Sequence, residues 1–338
     1  MSLLASVSNN LKFWDFKDDN LMLSSTAEFF TPDTREPRGG RGGGAIGTDA
    51  SELLALSWNH NQQVIAVGGT GQKLHLVQAN TGQTLSSLPI DEKDNFVGDI
   101  RALSFSHNSR YLASAIEHDV AVWDLKKRNI RVRLSGHKSI VKALQFTNEG
   151  SVVSGDTSGA MVIWNVDQSS RSKDLINPGY RSPMNCLRLS PSNHRHVCCG
   201  YGDGSVTVWD VQSQMALNRC PTAHSSAVTT VAYSPKNDRL VATGGKDGQL
   251  NLVDLGSKHD KFSPAVSLNV GEHISSLSFH DSALYTAVGT DSGYIYIYDW
   301  RNSRKPVVQF AAHNPMCVHE LAFQVRATEA INYRLYFI

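Results

Sequence analysis

Gly202-Asp203-Gly204-Ser205-Val206-Thr207-Val208-Trp209-Asp210-Val211-Gln212 reads as a tight turn followed by a short strand. Gly and Asp are the residues that reverse a chain. Val206, Thr207, Val208 and Trp209 alternate apolar with polar, the period of a β-strand. The strand closes on an aromatic followed by a polar residue. The same ending, with an aromatic or Val, stands at Trp14-Asp15, Val77-Gln78, Trp123-Asp124, Trp164-Asn165, Val253-Asp254 and Tyr298-Asp299.

A second register interleaves with the first: Ala55-Leu56-Ser57-Trp58, Ala102-Leu103-Ser104-Phe105, Ala143-Leu144-Gln145-Phe146, Cys186-Leu187-Arg188-Leu189, Val231-Ala232-Tyr233, Ser276-Leu277-Ser278-Phe279 and Glu320-Leu321-Ala322-Phe323. Positions 56, 103, 144, 187, 231, 277 and 321 lie 47, 41, 43, 44, 46 and 44 residues apart. A period near 40–45 with a Trp-Asp ending predicts an all-β propeller with four strands per blade. No amphipathic helical pattern competes. The first Trp-Asp strand, 11–16, precedes every Leu-register strand, and the last Leu-register strand, 319–324, follows every Trp-Asp strand. Each end therefore carries part of a blade. Seven blades are expected, closed by pairing the C-terminal strand with the N-terminal hairpin 3–16, which removes open sheet edges.

Composition agrees. A chain of 338 residues is long for one domain, but repeat folds grow as a unit. Apolar residues make up 41%, enough for a core, and 32 basic against 31 acidic residues leave a net charge of +1. That near-zero balance gives no global field for nucleic acid or an acidic membrane. Five cysteines without Cys-x-x-Cys spacing point to a reducing compartment, cytoplasmic or nuclear. The N-terminus lacks the apolar stretch of a signal peptide, and no run reaches 18 apolar residues. The propeller is expected over 1–324 as a monomer, with a Gly/Arg-rich loop at 31–51 and a tail at 325–338.

At these residues the chain resembles the WD-repeat family over 1–324. The resemblance implies a buried network in each blade: a His before the first strand, a Ser or Thr, an Asp in the later hairpin turn and the terminal Trp. His137, Ser154 and Trp164 match, with Ser158 where Asp is expected. His224, Thr243 and Asp247 match, with Val253 in place of Trp. Asp203 and Trp209 lack the His, and His273 and His313 lack an obvious Asp. These residues are expected to be structural, not catalytic, and no cofactor or metal is implied. Three stretches resemble more narrowly the centrosomal WD-repeat proteins that target the γ-tubulin ring complex: Leu3–Ser6 leading to Trp14-Asp15, Asp203–Gln212, and Tyr296–Arg301 running through His313 to Gln324. That resemblance implies a non-catalytic platform for microtubule nucleation at centrosomes or spindle poles, with γ-tubulin ring complex or augmin-type partners. It also implies a separate helical region for γ-tubulin binding, which 325–338 is too short to supply.

Other motifs carry bland readings beside sharp ones. Arg35–Gly44 is a single Arg-Gly run without aromatics, read as a flexible loop before an RNA site. Gly68–Lys73 and Gly244–Gly248 fail the phosphate-loop spacing and read as hairpin turns with positive φ. His194, His196 and Cys198 fall on one face of a strand but lack a fourth ligand. Tyr298-Asp299-Trp300-Arg301 resembles the motif by which propellers dock onto cullin-RING ligase adaptors; the alternative is that Arg301 pairs with a nearby carboxylate. A generic scaffold is the third reading. Partner contacts are expected at Lys138, Tyr180, Arg181, Tyr201, Lys246 and Arg41 on the His-bearing face, and at Arg301, because aromatic and Arg side chains anchor interfaces.

Overall fold

The computed structural model describes residues 2–17, 20–22, 52–70, 73–89, 98–168, 170–175, 182–255, 264–302 and 305–324. The 31–51 loop with Arg41, the 325–338 tail, Tyr180 and Arg181 lie outside the described residues. Among the described residues are 28 strands and no helix, arranged as seven antiparallel four-stranded sheets.

The Leu-register strands are the innermost of each blade: β4 (Leu53–Trp58), β8 (Ile100–Phe105), β12 (Val141–Phe146), β16 (Met184–Leu189), β20 (Val228–Tyr233), β24 (Ile274–Phe279) and β28 (Glu320–Phe323). Each touches the next, and β28 returns to β4, so the ring closes around a central channel. Closure is an antiparallel pairing of β28 with β1 (Ser2–Val7), Leu4 opposite Phe323 and Val7 opposite Glu320. β2 (Leu11–Lys17) and β3 (Asn20–Met22) complete that blade. The pairing is extended by backbone bonds from His319 to Val7 and from Gln324 to Leu3.

The core is a ring of seven clusters, each shared by two adjacent blades. Strand β10 (Asp119–Asp124) shows how. Val120 and Val122 enter the cluster with Leu144, Phe146 and Trp164 of the next blade. Ala121 and Trp123 enter the cluster of the preceding blade with Leu74 and Leu76. Successive side chains point to opposite faces, and both faces are covered. The polar positions of the alternation are therefore not solvent positions. Thr207 is 1% exposed and Asn251 2% exposed.

Two glycines of the supposed phosphate loop serve different needs. Gly248 has φ +74°, as a tight turn between β-strands requires. Gly244 has no such φ; a Cβ there would stand 2.6 Å from Ile274 Cγ2, so it lets the next blade approach. The expectation of positive φ along the whole run is corrected by that contact.

The polar residue after the terminal aromatic also gains a physical account. Asp124 Oδ1 accepts from the amides of Lys126 and Lys127 at 3.0 and 3.1 Å. Asp210 does the same for Gln212 and Ser213, and Asn165 for Asp167 and Gln168. The motif is a strand end joined to a side-chain-capped turn.

Candidate interaction face and channel

The loops before the inner strands and the turns between second and third strands share one face, here called upper. His137 enters from such a loop and Asp156 from such a turn. His137 Nδ1 meets Asp156 Oδ2 at 2.7 Å and Nε2 meets Ser154 Oγ at 2.6 Å. Trp164 Nε1 donates to the same Ser154 oxygen at 2.8 Å. The expectation that this blade lacks its Asp is corrected: the acid stands two residues earlier, at Asp156. Ser158 donates its amide and hydroxyl to Asp156 Oδ1. Burial pushes the Asp156 carboxyl up, but the bonds from His137 and Ser158 bring it below the usual range.

In the fifth complete blade, His224 Nδ1 meets Asp247 at 3.0 Å and Nε2 meets Thr243 Oγ1 at 2.9 Å. Asn251 Nδ2 sits 3.3 Å from His224 Nε2 and donates to the Ala223 carbonyl at 2.6 Å. Asn251 thus occupies part of the polar site that has no Trp. Burial holds the His224 imidazole below its ordinary range despite Asp247.

A third network lies in the closing blade and joins the two ends of the chain. His313 Nε2 and Trp14 Nε1 both meet Ser6 Oγ at 2.9 Å. His313 is 5% exposed, and its Nδ1 has no partner among the described residues. Burial first, then Lys12 and His319, push its pKa down to about 3. His273, by contrast, is an exposed residue 3.5 Å from Asp291. Its side chain takes no place in a buried network.

Asp203 and Trp209 do not form one network. Asp203 is exposed and accepts from the Ser205 amide and hydroxyl. Trp209 Nε1 donates to Tyr201 Oη at 3.3 Å. Tyr201 is therefore corrected as a rim contact: it is 1% exposed, filling the space between blades beneath Trp209. Lys138 and Lys246 are exposed on the upper face. Arg301 lies on the lower face, where its Nε and Nη2 grip Asp299 at 2.9 and 2.6 Å and Nη2 also donates to Tyr285 Oη at 2.9 Å. Trp300 is fixed too, donating to Thr286 at 2.7 Å. His194 meets Asn148, His196 meets Asn193, and Cys198 is wholly buried, so the three do not converge.

The channel carries a pattern that no short motif announced. Six inner strands have a register shift at the equivalent residue, next to Ala55, Ala102, Ala143, Cys186, Thr230 and Ser276. A bulge re-aims its extra side chain. The bulged residues Leu54, Arg101, Lys142, Asn185, Thr229 and Ser275, with His319 immediately before the seventh strand, ring a cavity of about 130 Å3. Deeper along the strands, Arg188 Nη2 of β16 reaches Glu320 Oε1 of β28 at 3.0 Å, a bridge across the channel. Glu320 Oε2 also accepts from the Leu56 amide at 2.8 Å.

This ring of seven blades, with buried histidine networks set into three of them, is a β-propeller that carries WD repeats. Residues 128–165 and 173–210 match the family described as WD domain, G-beta repeat. Residues 217–333 match the propeller described as Nucleolar protein 10-like, N-terminal domain. Over 325 residues the chain is 25% identical to Protein NEDD1 of Homo sapiens, covering 95% of this chain and 44% of that protein. It is 28% identical to Protein NEDD1 of Bos taurus, with the same coverage. Protein tipD of Dictyostelium discoideum is 23% identical over 78% of this chain and 42% of its own length. The chain thus spans less than half the length of these relatives. Among the described residues no helix is long and apolar enough to cross a membrane.

Proposed function

We propose that this chain is a non-catalytic docking platform that directs γ-tubulin ring complexes, through those complexes or augmin-type factors, to centrosomes and spindle microtubules. The observation that carries this reading is the similarity to NEDD1 along 95% of the chain, and the narrow resemblances at 3–6, 203–212 and 296–324 support it. A closed propeller suits the role, because strands on both sides hold its rim side chains and docking needs no change of shape. The cullin-RING reading rests on Arg301 alone. Arg301 is paired with Asp299 and Tyr285 of its own blade, as the plain structural reading of that motif expects, while 57% of its side chain stays exposed.

Proximity labelling with this chain in dividing cells tests the proposal. Enrichment of γ-tubulin-complex and augmin subunits, with signal at spindle poles, is expected. Diffuse signal through mitosis, or neighbours confined to cullin-RING subunits or to the nucleolus, would overturn it.

A further inference from the structure

Lys142 is the cation of the channel without an acid. Of the charges lining the cavity, Arg188 is paired with Glu320, and Arg101 Nη2 is paired with Asp99 at 2.9 Å. Lys142 has no hydrogen bond or ion pair among the described residues, although it projects into the lumen from the bulge of β12. Its neighbours worsen its position. Burial, Arg101 and Lys246 together push its ammonium below the ordinary lysine range. Beside it, Arg101 Nε is buried and unbonded among the described residues. Lys142 is exposed, so water solvates its ammonium; the costly group is the buried, unbonded Arg101 Nε, and an anion at this cavity would satisfy that donor and pair with Lys142 at once.

We propose that the upper mouth of the channel, at Arg101 and Lys142, is a binding site for a side-chain carboxylate of an acidic segment in a protein partner. Charge selects the ligand. One positive charge is uncompensated, which matches a singly charged carboxylate better than a phosphoryl dianion. Glu320 on the opposite wall adds to that preference. The Arg188–Glu320 bridge crosses the channel below these residues, so the upper face is the nearer entry for a side chain. Lys246 and Lys138, exposed on that face, are placed to meet further acids of the same segment.

The proposal rests on the platform reading only in naming a protein segment as the source of the carboxylate, and its test needs no cellular partner. Fluorescein-labelled hexaglutamate is titrated into the purified full chain and followed by anisotropy. Lys142→Gln is the variant, and Lys126→Gln, an exposed lysine in a lower-face turn, is the control. Loss of one charged hydrogen-bonding group predicts weakening by about tenfold or more for K142Q. K126Q should bind like the parent, and both variants should keep the parent's melting temperature. Equal affinities of K142Q and the parent would overturn the site. So would equal weakening by K126Q, which marks diffuse electrostatics, or absence of binding to the parent. Displacement of the peptide by pyrophosphate at lower concentration than by glutarate would reject the carboxylate in favour of a phosphoryl ligand.

Discussion

At the scale of single residues, the buried histidines are held by their partners, and each has a different set. Ser6 is the sharpest case, since one hydroxyl serves both Trp14 and His313. Ser6→Ala leaves two buried N–H or imidazole groups without a partner, and should lower unfolding free energy by about 1–3 kcal/mol in urea titration. His137→Ala should cost about as much, by leaving Asp156 Oδ2 without its ring partner and Ser154 with Trp164 alone. Acid should act through His313 and through a further buried histidine, His75, whose Nδ1 meets Ser87 Oγ at 2.8 Å. His75 is held at about 4 by burial and then Lys73, and His313 at about 3. Their folded values lie below the unfolded value of 6.5. The unfolded chain therefore takes up protons that the native state refuses. Stability is full above about pH 6.5 and falls as pH drops towards 4, by at most about 1.4 kcal/mol per unit for each histidine. Urea midpoints between pH 7 and 4.5 should show that decline, and His313→Asn should flatten it.

At the scale of elements, β28 carries the most weight for its length. Four residues, Glu320–Phe323, pair with β1, pack Leu321 and Phe323 into the last interface and supply Glu320 to the channel bridge. A chain ending at residue 318 leaves β1 as an open apolar edge and removes two large buried side chains, each worth about 1.5–3 kcal/mol. Aggregation and loss of the sharp melting transition are the expected results, read by light scattering and calorimetry. A soluble monomer that melts cooperatively without β28 would contradict the role given to closure. The channel bridge makes a narrower case. Arg188→Met removes the partner of Glu320, whose carboxyl burial already pushes up. The variant should lose stability, and the Arg188→Met, Glu320→Gln pair should recover part of it in a double-mutant cycle.

At the scale of the whole molecule, stability belongs to the ring. Each of the seven apolar clusters is shared by two blades, so no blade owns a core and none should persist alone. Open repeat arrays unfold piecewise from their ends. This ring has no end, and a single transition with coincident circular dichroism and tryptophan fluorescence midpoints is expected. Separate midpoints would show that blades part independently.

The sequence by itself determined the seven-fold period, the order of the two strand registers and hence the closure, because hydrophobic alternation and turn residues are local signals. It also exposed His137 with Ser154 and His224 with Thr243, each a His before the first strand and a hydroxyl within the second. Tertiary structure alone decided what those residues meet. Asp156 took the role of the Asp expected two residues later, because its carboxylate reaches His137 from the strand end while Ser158, in the turn, donates to it. Tyr201 turned inward, since in a propeller both faces of the middle strands are covered and an aromatic there fills an interface. Ser6 and His313 are 307 positions apart, and Arg188 and Glu320 132 apart, and no spacing rule reaches so far. The Lys142 ring was hidden for the same reason. Its members come one from each blade, and bulges, which alternation cannot foresee, aim six of the seven into the channel.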